Sequence, residues 1–83
     1  MIESKNIQFT ILIKAGGQLR EFNFRKSAGP TGYLFTIDVA DTRGERHYLM
    51  FRQESSQWIL KTSEIPDWIK EVIPKINETI HQF

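Results

Sequence analysis

Ile7-Gln8-Phe9-Thr10-Ile11-Leu12-Ile13-Lys14-Ala15-Gly16-Gly17-Gln18-Leu19-Arg20-Glu21-Phe22-Asn23-Phe24 is the stretch that decides the fold. Ile7, Phe9, Ile11 and Ile13 alternate with Gln8, Thr10, Leu12 and Lys14, and Phe22 and Phe24 resume the pattern after the glycine pair. A period of two belongs to a strand with one buried face. A two-residue turn at Gly16-Gly17 sets Ala15 opposite Gln18, so Ile11 faces Phe22 and Phe9 faces Phe24. Thr10 and Asn23 then meet on the other side. Turn length and apolar pattern are independent of one another, and a one-residue slip would turn the phenylalanines to water. Their agreement predicts an antiparallel hairpin. It bears on fold and not on function.

The same parity runs down the chain. The first two strands are expected at about Ile7–Lys14 and Leu19–Lys26. Ser27-Ala28-Gly29-Pro30-Thr31-Gly32, with two glycines and a proline, predicts a mobile loop. A third strand follows at about Tyr33–Ala40, with Tyr33, Phe35, Ile37 and Val39 on one face. Asp41-Thr42-Arg43-Gly44-Glu45 suits a three-residue hairpin loop with Gly44 left-handed. That closure pairs Val39 with His47, Ile37 with Leu49 and Phe35 with Phe51. A fourth strand, about Arg46–Gln53, turns through Glu54-Ser55-Ser56-Gln57, read as a four-residue loop. Gln53 then faces Trp58, and Phe51 faces Leu60, in a short fifth strand. This order is a meander.

From Ser63 the period changes. Ile65, Ile69, Val72, Ile73, Ile76, Ile80 and Phe83 recur at spacings of three and four, the stripe of an amphipathic helix. Thr62 or Ser63 can cap it, and Glu64 and Asp67 suit its positive end. Pro66 fits a first turn. Pro74 does not fit a helix interior, where it deletes a hydrogen bond at a cost of about 3 kcal/mol. Because the stripe stays in phase through Pro74, one helix kinked there is expected. Trp68 lies at the margin of the stripe. The sheet face carrying Ile7, Phe9, Ile11, Ile13, Phe22, Phe24, Tyr33, Phe35, Ile37, Val39, Leu49, Phe51, Trp58 and Leu60 needs a cover, and the helix supplies it. The fold class is α+β, two layers, β-β-β-β-β-α, with residues 1–83 as one domain.

Composition narrows function little. The chain has 83 residues, net charge +1 and no cysteine. Disulfides and thiolate metal sites are excluded, which fits a reducing cytoplasm. The start Met1-Ile2-Glu3-Ser4-Lys5 has no basic n-region and no unbroken apolar run, so no signal peptide is expected. No apolar run approaches the roughly 20 residues that span a bilayer, so no membrane partner is expected. Residues 1–63 hold nine Lys/Arg against six Asp/Glu, and residues 64–83 hold two against four. An asymmetry this small fits an evenly solvated surface.

Catalytic signals are nearly absent, and neither enzyme activity nor a cofactor is expected. His47 and His81 lie in different elements with no metal-ligand spacing. His47 reads as a structural histidine at the rim of the buried face, and His81 as a cation favoured by a helix C-terminus. Gly16-Gly17 precedes no helix and cannot cradle a phosphate. Asp38 and Asp41 could meet near a hairpin end as a solvated pair.

The face opposite the helix carries more information. By parity it displays Leu12 and Lys14, Arg25, Leu34, then Arg46, Tyr48, Met50 and Arg52, then Ile59 and Lys61. A solvated face has no need of Leu12, Leu34, Tyr48, Met50 and Ile59 together. Two coverings are expected to compete: a protein, with self-association the simplest case, and a single-stranded nucleic acid. Tyr48 among Arg46, Arg52, Lys14, Arg25 and Lys61 could stack bases while the cations track phosphates.

Ile13-Lys14-Ala15-Gly16 before Phe22-Asn23-Phe24-Arg25 resembles the first hairpin of a Pur-type module. A curved antiparallel sheet followed by one helix is similar in layout to Pur-type and Whirly-type single-stranded nucleic-acid-binding modules, which pair through helices or sheets. The resemblance covers the order of elements. It implies nucleic-acid binding as the alternative function and carries over no functional residue.

Overall fold

The computed structural model describes residues 7–30 and 32–83. Five strands, β1 (Ile7–Ala15), β2 (Gln18–Gly29), β3 (Gly32–Ala40), β4 (Arg46–Glu54) and β5 (Gln57–Leu60), form one antiparallel sheet in the order β1-β2-β3-β4-β5. Each hairpin register follows from its turn. Gly16 and Gly17, with φ of 63° and 80°, make the two-residue turn that pairs Ala15 with Gln18, Ile11 with Phe22 and Phe9 with Phe24. At the β3–β4 turn the Asp41 amide bonds the Glu45 carbonyl at 2.8 Å, and Gly44 takes φ 88°. Val39, Ile37 and Phe35 then face His47, Leu49 and Phe51.

Two turns are tighter than the sequence suggests. Ser55 and Ser56 adopt φ of 51° and 69°, so Glu54 pairs with Gln57 and the loop holds two residues rather than four. The pairing of Gln53 with Trp58 is unaffected, because extending both strands by one residue keeps parity. The expected loop over 27–32 is largely strand: Ser27 pairs with Leu34, Ala28 with Tyr33 and Gly29 with Gly32. Thr31, part of that expected loop, lies outside the described residues. Nothing in Ser27-Ala28 opposes extension, so the punctuating residues act only at the tip. Lys26 fastens this arm, its ammonium 4.6 Å above the Tyr33 ring and donating to the Phe83 main-chain oxygen.

The C-terminal segment is broken rather than bent. Thr62 and Ser63 cap nothing: Thr62 Oγ1 accepts the Met50 amide at 2.9 Å, and the first helix, α1 (Asp67–Lys70), begins after Pro66. The second, α2 (Ile73–Ile80), has Pro74 in its first turn. Between them Val72, at φ −107° and ψ 6°, leaves helical geometry. The reason is Pro74 itself. It has no amide to offer the Lys70 carbonyl, so the chain ends one helix there and restarts where a missing donor costs nothing.

The apolar stripe nevertheless points one way. Ile69, Val72, Ile76 and Ile80 are buried with Ile13, Phe22, Phe24, Phe35, Ile37, Val39, Leu49, Phe51 and Trp58 in one core. Phe24, Phe35 and Trp58 meet edge to face, with centroids 6.2 Å and 5.3 Å apart. Ile7 and Tyr33, expected under the helix, are exposed at the far ends of their strands. At about 1.5 Å per residue an eight-residue helix spans roughly 12 Å, well short of the sheet's length. Phe9 is covered instead by Phe24 and Phe83, stacked at 4.8 Å and 4.5 Å.

Candidate functional site

The sheet face away from α1 and α2 is bare among the described residues. Leu19, Tyr48, Leu12 and Met50 are 67%, 61%, 59% and 42% exposed on it. Leu34 and Ile59 are half-buried beside Arg52, which lies opposite both. Leu19 belongs to this face by register but escaped the apolar count of five. Alternation alone, read across the turn, identifies it.

The apolar residues are not contiguous. A hydrogen-bonded row crosses the sheet between them. Thr10 Oγ1 donates to Asn23 Oδ1 at 2.7 Å, Asn23 Nδ2 to Asp38 Oδ2 at 3.1 Å, and Arg46 Nη1 to the same oxygen at 2.6 Å. This row floors an open hollow of about 490 Å³ that Gln8 and Arg25 flank. Leu12 and Leu19, outside its lining, lie diagonally to each other across β1 and β2. Tyr48 stands opposite Asp38, and Met50 opposite Thr36, on the β4 side.

The cations of this face are partly engaged. Arg46 pairs with Asp38, and Lys61 Nζ lies 2.8 Å from Glu54 Oε2. The Lys61 hydrogen bond holds the Glu54 carboxyl below its ordinary range, with the charges of Lys61 and Arg52 assisting. Arg52 is likewise not without a partner. Lys14 and Arg25 are exposed, with no ion pair among the described residues.

Titratable groups gather instead at the other face, beside Trp68. Asp38 and Asp41 do not meet: Asp38 bonds Arg46 on the bare face, while Asp41, in the turn just past β3, bonds the turn amides and His47. Asp41 Oδ2 lies 3.0 Å from His47 Nε2, while Oδ1 accepts the Arg43 and Glu45 amides at 2.9 Å each. The His47 hydrogen bond is the main reason the Asp41 carboxyl falls from 3.8 to about 2; the two amides assist and partial burial opposes. Asp41, Glu45 and His47 each place a ligand atom within 4.8 Å of the others. Both Asp41 oxygens are already committed to the turn and to His47, so the carboxylate acts as a hairpin clamp. His47 meets the Trp68 ring edge-on at 5.6 Å, and Arg20 stacks over the same ring at 4.5 Å. Arg20 Nε donates to the Ala15 carbonyl at 2.9 Å, and the Glu71 carboxylate accepts the Gly16 amide at 2.9 Å. These contacts fasten α1 to the first turn. His81 Nδ1 lies 2.8 Å from the Asn77 carbonyl oxygen at the end of α2.

Compared with protein-family models, with curated proteins and with solved structures, the chain matches none of them. No helix among the described residues is long and apolar enough to cross a membrane.

Proposed function

We propose that this chain is a non-enzymatic interaction domain of the cytoplasm whose bare sheet face docks on protein, a second copy included. The observation that carries this reading is the exposure of Leu12, Leu19, Tyr48 and Met50 on one side of a sheet whose other side has its own cover. Large apolar side chains so placed become anchors when a partner removes them from water. Between them, the row from Thr10 to Arg46 supplies directional donors and acceptors that would fix a partner's orientation. The ion pairs of Arg46 and Lys61 weigh against the nucleic-acid alternative, since a phosphate would have to displace Asp38 or Glu54.

The test is Tyr48→Ala and Arg25→Glu, each assayed by mass in solution and by binding of mixed-sequence single-stranded DNA and RNA at two salt concentrations. Association through this face survives moderate salt and is lost in Tyr48→Ala. Oligonucleotide binding that falls steeply with salt and disappears in Arg25→Glu would establish the nucleic-acid alternative. A parent that associates with nothing and is indifferent to both changes would refute the reading.

A further inference from the structure

The β1 edge is a second surface, distinct from the bare face. In a two-residue hairpin the residues flanking the turn exchange both backbone hydrogen bonds, and the pattern alternates from there. With Ala15 opposite Gln18, the backbone groups of Ile7, Phe9, Ile11, Ile13 and Ala15 point toward β2. Those of Gln8, Thr10, Leu12 and Lys14 point away from the sheet. Among the described residues nothing bonds them, because β1 is the edge of the sheet and no other backbone bond reaches it. Natural edges of this length are guarded by charges, prolines, bulges or a covering element. β1 has Lys14 as its one charge, and neither proline nor glycine. The opposite edge, β5, has four residues and offers little to pair with.

We infer that β1 pairs with β1 of a second copy, antiparallel about a two-fold axis at Ile11, making one ten-stranded sheet. Two features favour a copy of this chain over another strand. The first is a gradient of burial along the helix-side row of β1. Ala15 and Ile13 are 1% and 6% exposed beneath the first turn's contacts, Ile11 and Phe9 are half-buried, and Ile7 is 36% exposed. Antiparallel pairing about Ile11 sets Ile7 against the partner's Ala15 and Phe9 against the partner's Ile13. Each copy's uncovered half thus lies beside the other's covered half, and the gradient complements itself. The second is charge. The same register puts Lys14 beside the partner's Gln8 and Thr10 beside the partner's Leu12, so the one cation of the strand meets no like charge. All four outward amides and carbonyls of each copy are then paired, the closed isologous arrangement of a dimer. The axis is normal to the sheet, so both helical layers stay on one side and both bare faces on the other.

The experiment combines mass in solution across a concentration series with hydrogen exchange of single amides. The expected result is a dimer in which the Thr10 and Leu12 amides exchange about tenfold or more slowly than in the dilute monomer, while Ile11 is protected in both. Leu12→Pro removes one outward amide at a position where an edge strand tolerates proline, and gives a monomer. Leu12→Ala keeps the amide and remains dimeric, as does Tyr48→Ala, which separates edge pairing from docking on the bare face. The exchange measurement needs no variant and stands even if Leu12→Pro unfolds. A parent monomeric at every concentration, or an assembly whose Thr10 and Leu12 amides exchange as fast as in the monomer, would each overturn the inference.

Discussion

Replacing Trp58 with alanine probes the core where the sheet is thinnest. Trp58 is 7% exposed on the short strand β5, and its ring meets Phe35 edge-on at 5.3 Å. A buried tryptophan removes about 150–250 Å² from water, worth roughly 4–6 kcal/mol at about 25 cal/mol per Å². Aromatic-to-alanine truncations in cores cost about 3–5 kcal/mol. β5 is an edge element that can move inward to fill part of the space, so the lower half of that range, about 3–4 kcal/mol, is expected. A chain of 83 residues has a total stability of roughly 4–12 kcal/mol. The loss therefore lowers the urea midpoint by on the order of 2 M at an unchanged slope, or unfolds the domain outright. Far-UV circular dichroism against urea is the assay, with Trp68→Ala as the comparison, because Trp68 is only partly buried. A Trp58→Ala loss below about 1 kcal/mol, or one smaller than that of Trp68→Ala, would refute the placement of β5 in the core.

Ser56→Gly relieves a left-handed residue in the β4–β5 turn and should stabilise the domain by about 0.5–1 kcal/mol in the same titration. An unchanged midpoint would argue against the two-residue turn. Pro74→Ala should destabilise by about 0.5–1 kcal/mol, because the proline restricts the unfolded chain and costs the first turn of α2 no hydrogen bond. A clear gain would show that Pro74 strains the helix. Asp41→Asn keeps the turn's acceptor and removes the charge. The folded carboxyl, at about 2, lies below its ordinary 3.8, so its contribution is present above the ordinary value and is lost as pH falls through about 2. The stability gap between parent and variant should narrow over that interval in acid titrations, and a constant gap would refute the His47 contact.

The strands were legible because two separate signals had to coincide. Phe9 opposite Phe24, Ile37 opposite Leu49 and Gln53 opposite Trp58 each follow from a turn and an alternation read together. The broken helix was not legible from the stripe. Ile69, Val72, Ile73 and Ile76 keep their spacing through the break, and periodicity is blind to one residue's φ and ψ. Ser55-Ser56 gave no sign of a two-residue turn, since serine has no preference for positive φ; the pairing of Glu54 with Gln57 imposes it. For the bare face, parity speaks to membership and not to contiguity. That Asp38 joins Asn23, directly opposite on β2, to Arg46, diagonal on β4, depends on a register across three strands that only the assembled sheet supplies. Arg20 stood on the buried side opposite Ile13 by alternation. Its partner Trp68 lies in a segment whose position over the sheet no local pattern encodes.

The meander order has a kinetic consequence. Every strand pairs with its neighbour in sequence, so the sheet can zip from hairpins that each form in about 1–10 μs. The lid is different: the bond between Gly16 and Glu71 closes a separation of 55 residues, and the contact between Lys26 and Phe83 one of 57. Loop-closure entropy delays such contacts until the sheet already exists. During synthesis the delay is longer. All five strands are made before Ile69, Val72, Ile76 and Ile80, and at about 5–20 residues per second the stretch from Lys61 to Ile80 takes roughly 1–4 s. For that interval the phenylalanine face of the nascent sheet is open to water, and a chaperone that binds apolar strands would find its substrate there.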